Sequence, residues 1–359
     1  MTITINNKNK KPNVPNLRFK EFQGEWEYFL INDVCSEFKS GKNIKADSVF
    51  ECGEYPVYGG NGLRGYTSSY NHEGSYVLIG RQGALCGNVR SVYGKTYITE
   101  HAIAVAGNEK SNTNFLHYLF LKMNLGQYSD QSAQPGLAVN KLLKLKVALP
   151  IISEQTKIAK FLSLLDERIA TQSKIIEKMQ TLIKGIAHKV SKQGKPNIRL
   201  SECLLCTSST LQESDVAEVG AYPVYGANGI VGYLDTYNTT SEAIYIIKDG
   251  SGVGAVSCVK GKCSATGTLN ILQTKEGFSL RYLYFILKVF SFEPYKTGMA
   301  IPHIYFKDYG KAKIYCPSNQ LQCKYADLLS KIEQKATAEQ KILDNLCSQK
   351  QYLLCQMFI

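Results

Sequence analysis

The residues most suggestive of chemistry are glycines. Gly250-Ser251-Gly252-Val253-Gly254 comes after the apolar run AIYII, the order of a strand entering a nucleotide-binding loop. Such a loop must open a helix so that its free N–H groups meet phosphate. The next segment, AVSCVKG from Ala255, has strand character instead. A second copy of the stretch, Gly83-Ala84-Leu85-Cys86-Gly87, keeps only the outer glycines. A tight turn, or a place where backbone approaches phosphate, fits both copies better than a cofactor cradle. Cys203-x-x-Cys206 is half of a zinc site with no second pair at useful spacing. Cys258, Cys263, Cys316 and Cys323 are scattered, and the eleven cysteines read as reduced thiols, mostly in the core. His101, His117 and His303 lie apart, Gly261-Lys262-Cys263 is no Walker loop, and no His-Glu-x-x-His occurs. These residues predict no catalytic, cofactor or metal site in the chain.

The elements that carry the glycines are duplicated. GEYPVYGGNGLRGY from Gly53 returns as GAYPVYGANGIVGY from Gly220, an offset of 167 with ten of fourteen positions identical. The same offset pairs Ile79 with Ile246, Gly83 with Gly250, Gly87 with Gly254, Val89 with Val256 and Lys95 with Lys262. Further on, Leu116-His117-Tyr118-Leu119 resembles Leu280-Arg281-Tyr282-Leu283, and each copy then has a loop, around Gly136 and Gly298. Pro150 and Pro317 restore the offset of 167.

A helix comes after each of these prolines. Ile158, Leu162, Leu165, Ile169, Ile176, Met179, Ile183, Ile186 and Val190 keep a heptad rhythm that Gln172 interrupts. Tyr325, Leu329, Ile332, Ala336, Leu343, Leu346, Leu353 and Met357 keep the equivalent one, interrupted by Glu339 and Lys350. An apolar seam of this period must be buried, and the other helix of the same chain is the nearest partner. The expected arrangement is a pseudo-two-fold object with antiparallel helices. Gln172 and Glu339 would meet near its axis and fix the register, or else face solvent through a local stutter. Each helix of about 40 residues would span roughly 60 Å.

The chain of 359 residues is long enough for two domains, and its 23 Tyr and 29 Gly favour turn-rich β structure. A formal net charge of +12 favours an acidic polymer as partner, nucleic acid before anionic membrane. The polar start, MTITINNKNKKPNVPN, lacks the apolar segment of a secretory signal, and no run is apolar enough to span a membrane, so a cytoplasmic location is expected.

Three motifs together resemble the specificity subunits of type I restriction-modification enzymes, across nearly the whole chain. They are the opening Leu17-Arg18-Phe19 with Trp26 and Asp33-Val34, the YPVYG-x-NG-x-x-GY turn, and the exit Pro150-Ile-Ile-Ser-Glu154-Gln155-x-Lys157-Ile158-Ala159 leading into Leu165-Asp166. The second copy lacks the opening motif, and its exit reads Pro317-Ser-Asn-Gln-Leu321-Gln322-x-Lys324. The Asn/Lys-rich, Pro-containing start reads as a flexible arm over 1–16. The resemblance implies an α/β (α+β) chain with target recognition domains at 17–150 and 196–317 and helical spacers at 151–195 and 318–359. It implies that double-stranded DNA and two modification (methyltransferase) subunits are partners, with restriction subunits joining through them. S-adenosylmethionine is expected in the modification subunits and no cofactor in this chain, which has no Pro-Pro pair and so lacks the catalytic tetrapeptide of an adenine methyltransferase. Leu165, Ile169, Gln172, Ile176, Ile332, Ala336, Glu339 and Leu343 are expected to set helix register and dock the partners.

Residues shared by the copies should serve folding and phosphate docking, and residues that differ should carry base identity. Shared candidates are Tyr58/Tyr225, Asn61/Asn228 and Lys95/Lys262, with Arg81/Lys248 as a cationic pair. Asn-Gly also fits a hairpin tip with the Tyr packed behind it. Differing candidates are Arg64 against Val231, Gln82 against Asp249, and Ala84 against Ser251. Later loops add Ser132 and Gln134 in one copy, and Lys296, Thr297 and His303 in the other. The expected target is therefore two unlike half-sites across a fixed gap of roughly one to two duplex turns. A glycan- or anion-binding repeat module, an enzyme built on the glycine loop, and a silent recombination-donor copy are the alternatives.

Overall fold

The computed structural model describes residues 13–130 and 135–359. The chain forms two compact units, Met1–Thr171 with Leu343–Ile359, and Gln172–Ile342. The division runs through both long helices, so each unit is built on a stretch of each.

In the first unit the chain order is β1 (Glu27–Leu30), α1 (Ile31–Val34), β2 (Cys35–Ser40), β3 (Tyr55–Gly59), β4 (Gly62–Thr67), β5 (His72–Gly80), β6 (Val89–Ile98), β7 (Ala102–Gly107), α2 (Thr113–Met123), α3 (Val139–Leu142), β8 (Lys146–Leu149) and the 40-residue α4 (Ile152–Ser191). Six strands make one sheet, β2-β7-β5-β6-β3-β4, antiparallel except where β3 runs parallel to β6. The central strands are buried on both faces, so they read as continuous apolar runs without alternation. Val77, Ile79, Ile103 and Val105 face a large core with Phe115, Leu116 and Leu119 of α2, while Leu78, Ala102 and Ala104 form a smaller core with Val92 and Ile98.

The second unit repeats the plan with β9 (Ile198–Arg199), α5 (Leu200–Cys203), β10 (Leu204–Ser208), β11 (Tyr222–Gly226), β12 (Gly229–Leu234), β13 (Ala243–Ile247), β14 (Val256–Val259), β15 (Ser264–Ala265), β16 (Leu269–Thr274), α6 (Leu280–Val289), α7 (Phe306–Tyr309), β17 (Lys313–Ile314) and α8 (Asn319–Met357). Here the sheet is broken into β10-β16-β13-β14 and β12-β11-β15, because β14 and β15 stand where the first unit has the single β6. β9 pairs with β17 as β1 pairs with β8, so the second unit opens at Ile198 without the first unit's opening motif.

The offset of 167 holds where sequence matching drifts. Asn112 caps α2 and Ser279 caps α6, which matches Leu116 with Leu283 rather than Leu280. One residue near each long helix's start enforces this. Buried Gln155 accepts from Asn112 N at 2.8 Å and donates to Pro150 O at 2.8 Å and Lys110 O at 2.9 Å. Gln322 likewise accepts from Ser279 N at 3.0 Å and donates to Pro317 O at 2.9 Å. A buried amide that completes backbone bonds of two elements fixes their relative position, since leaving those groups unpaired is costly.

The opening and exit motifs of the first unit are one device. Arg18 meets the fully buried Glu154 in a two-pronged ion pair, Nε to Oε1 at 2.8 Å and Nη2 to Oε2 at 2.7 Å. The second unit has no opening motif, and an exposed Leu321 stands one repeat offset from Glu154, so neither partner recurs there.

The helical seams pair antiparallel within each unit. In the first, Leu162 and Leu165 share a core with Leu346, Leu353 and Met357, and Ile169 packs against it. Lys350, an interruption of the apolar rhythm, meets Asp166 at 2.5 Å, and Asp166 also accepts from the Tyr118 hydroxyl at 2.9 Å. In the second unit, Gln172 Nε2 donates to Glu339 Oε2 at 2.6 Å and to Glu339 O at 3.1 Å. Two residues separated by the repeat offset thus touch, as equivalent positions of two antiparallel helices do beside a local two-fold. Glu333, the counterpart of Asp166, accepts from Tyr284 at 2.7 Å. Among the described residues no helix is long and apolar enough to cross a membrane.

Candidate nucleic-acid interface

In the first unit the repeated YPVYG turn forms the β3–β4 hairpin, with Gly60-Asn61 at its tip and Gly62 at φ +105°. A residue with a side chain adopts that backbone poorly, which accounts for Gly after Asn. Gly60 sits against Gly80 and His101, so the tip lies beside the glycine loop at the end of β5. Asn61, Arg64 and Gln82 line one shallow cavity of about 290 Å³, together with Gly59, Gly60, Gly83 and His101. Sequence reasoning singled out the first three and dismissed His101 as isolated. It also missed Arg90, whose guanidinium lies so close over Gly62 that a Cβ there would sit 3.1 Å from its Cζ.

The glycine loop is held by a second loop. Arg81 N donates to His101 O, Leu137 N to Arg81 O and Gly83 N to Pro135 O, each at 2.9 Å, and Gln82 bridges Gly136. Gly87 at φ +83° packs on Gly126, where a Cβ would fall 2.1 Å from the Gly126 nitrogen. The loop is therefore a tight turn that leads into β6, with no helix behind it. Ser132 and Gln134 lie outside the described residues; the neighbouring Asp130 N donates to Gly136 O at 3.0 Å.

The second unit builds the same frame 167 residues on. Gly250 N donates to Pro302 O at 3.0 Å, Ile304 N to Lys248 O at 2.9 Å, and Asp249 bridges His303. Pro135 thus corresponds to Pro302 and Gly136 to His303, which corrects the match of Gly136 with Gly298. His303 Nδ1 lies 2.7 Å from Asp249 Oδ1. His303 also exchanges both backbone bonds with Thr297, at 2.7 and 2.9 Å, closing a hairpin in which Met299 is fully exposed. Lys296 is ion-paired with Glu293 at 2.5 Å. Asn228 at the β11–β12 tip and Ser251 in the glycine loop are not buried.

Tyr58 and Tyr225 are half-buried and pack on the smaller core of their units, Tyr225 against Tyr245 at 5.9 Å. Of the two roles open for them, packing behind a hairpin is the one the geometry favours. Lys95 and Lys262 are exposed. Each ammonium lies over a tyrosine, Lys95 over Tyr70 at 4.8 Å and Lys262 over Tyr237 at 4.9 Å. Behind these rings stand Tyr55 and Tyr222, at 5.0 and 4.8 Å. Tyr55/Tyr222 and Tyr70/Tyr237 keep the repeat offset, so the sequence held this signal unread. Lys95 pairs with Glu73 at the start of β5, at the strand end opposite Arg81 and Gln82, so Lys95 does not join the cavity cluster.

Ile176 and Ala336 line a groove of about 350 Å³ in the second unit, with Lys184, Lys288 and Glu333 at its rim. Ile332 packs on the same unit's core, and Leu343 is a half-buried residue of α8. The cysteines are free, and among the described residues no cluster of three metal-ligating side chains forms. Burial pushes the Cys35 thiol up to about 12 and that of Cys206 to about 11. Thiols held protonated in this way are poor ligands and nucleophiles.

A family model described as the type I restriction modification DNA specificity domain matches residues 23–181 and again 203–347. The chain is 42% identical over 154 residues to the type I restriction enzyme EcoprrI specificity subunit of Escherichia coli, a match covering 42% of this chain and 38% of that protein. It is 24% identical to a putative type I specificity subunit of Mycoplasma genitalium, over 91% of this chain and 92% of that one. The chain thus spans under two-fifths of the E. coli relative and most of the Mycoplasma one. Its fold superposes on the crystal structure of a type I restriction-modification S subunit from M. genitalium with a TM-score of 0.74 at 20% identity, covering 96% of this chain and 99% of that one. With two copies matched over most of its length, the chain belongs to the family of type I restriction modification DNA specificity domains.

Proposed function

We propose that this chain is the DNA-recognition subunit of a type I restriction-modification complex and performs no catalysis itself. Each unit reads one part of a bipartite, asymmetric duplex target. The long helices dock two modification subunits, which hold S-adenosylmethionine and through which restriction subunits join. The observation that carries this reading is a backbone bridge built twice and decorated differently, Gln82 with Gly136 in one unit and Asp249 with His303 in the other. A common frame with unlike polar side chains is what two readers of unlike sequences need, because backbone contacts position a protein while base-edge contacts specify sequence. The cationic candidates and the net charge of +12 supply the attraction to phosphate.

Long-read methylation mapping of a host that expresses this chain with its modification subunits tests the proposal. One two-part, non-palindromic sequence should be methylated, and no defined sequence without this chain. A palindromic target, or the same target in its absence, would refute it.

A further inference from the structure

We propose that Asp249 and His303 form a composite base reader in the second unit, in which His303 holds one carboxylate oxygen and Asp249 offers the other to an exocyclic amino group in the major groove. The inference rests on the DNA-recognition reading above and names the chemistry of one of its contacts.

Asp249 lies just past the end of β13 and is tied to the 297–303 hairpin on both sides, by Gly250 N to Pro302 O at 3.0 Å and Ile304 N to Lys248 O at 2.9 Å. His303 is fixed in turn by its two backbone bonds with Thr297. The backbone at both residues is therefore set before any side chain is considered. Each side chain is about one-third exposed, at 34%.

The pair dictates its own hydrogen-bond chemistry. An ionised carboxylate only accepts, so the 2.7 Å contact places a proton on His303 Nδ1. Asp249 Oδ1 is then engaged, and Oδ2 is directed by a ring whose own position is anchored. A phosphate would be repelled by this oxygen. Beside DNA, a carboxylate gains only where it faces a donor on a base edge. In the major groove those donors are the N4 amine of cytosine and the N6 amine of adenine.

The first unit supplies the contrast. Its bridge places Gln82, an amide that both donates and accepts, beside Gly136, which has no side chain to hold it. The two units thus present different hydrogen-bond patterns from one backbone position.

The test uses the complex with modification subunits and duplexes carrying its mapped target. At each position the amino group is deleted in turn, with deoxynebularine for adenine and deoxyzebularine for cytosine. Competition binding should show, at one position of one half-site, a loss of about tenfold, near the low end of what a well-formed base contact is worth. That loss should vanish in Asp249→Ala and shrink in His303→Ala at the same position, while the other half-site keeps its own losses. Should Asp249→Ala abolish binding altogether, the His303→Ala comparison decides. A loss that persists in these variants, or no position that responds, overturns the pair alone. A wild-type complex that prefers no sequence overturns the DNA reading beneath it as well.

Discussion

At the scale of single residues, the contacts divide into those that build the frame and those that face outward. Arg18 and Glu154 belong to the first group. Glu154 is fully buried, and removing its partner leaves a charge without compensation. Arg18→Ala is expected to lower the stability of the first unit by about 3 kcal/mol in urea unfolding. Arg18→Met with Glu154→Leu should recover most of that loss, because apolar residues often replace a buried ion pair without cost. The second unit already has Leu321 at the place of Glu154. A double variant no more stable than the single one would show that the ion pair is not the device linking the two motifs. Lys95 and Lys262 belong to the second group, exposed cations steadied over tyrosine rings. Lys95→Ala and Lys262→Ala should each weaken DNA binding on all sequences and reduce the slope of log K against log salt by about 1. A changed sequence preference at an unchanged slope would assign them to base reading instead.

At the scale of elements, the long helices show how a polar residue is tolerated in an apolar seam. Gln172 and Glu339 satisfy each other, and Lys350 is satisfied by Asp166. Gln172→Leu removes the donor and leaves Glu339 half-buried without it. A loss of about 1 kcal/mol is expected by denaturant unfolding. Replacing both by Leu should restore or raise stability, since a polar seam residue specifies register at some cost in stability. Equal stability of the single and double variants would mean that the pair does not fix the register. The heptad rhythm made these helices legible in the sequence, and the unit offset between Gln172 and Glu339 made their meeting legible too. So were their starts, just past Pro150 and Pro317; the residues that fix those starts against α2 and α6 were not. Gln155 and Gln322 carry no periodic signal, and their role depends on backbone groups of Asn112 and Ser279 that are remote in the chain.

At the scale of the whole molecule, two-copy organisation was readable because ten of fourteen residues around the YPVYG turn are repeated. Alignment drifted near α2 and α6, where core packing accepts many apolar residues and leaves little identity to trace. It drifted again at the loops of Pro135 and Pro302, which agree in backbone hydrogen bonds and hardly in side chains. Of the site, Asn61, Arg64 and Gln82 were found together because they differ from or repeat their counterparts in an informative way. Arg90 was missed, since its significance appears only when the sheet brings it to the hairpin. The tyrosines beneath Lys95 and Lys262 were missed although they repeat at the same offset, because nothing in the chain ties them to those lysines. On the proposed function, one frame repeated with different side chains makes the two readers modular. The most direct measurement replaces residues 53–145 with the same region of a related specificity subunit and maps methylation again. Modular readers require that one half of the methylated sequence changes while the other half and the gap between them stay as they were. A change in both halves would contradict modularity.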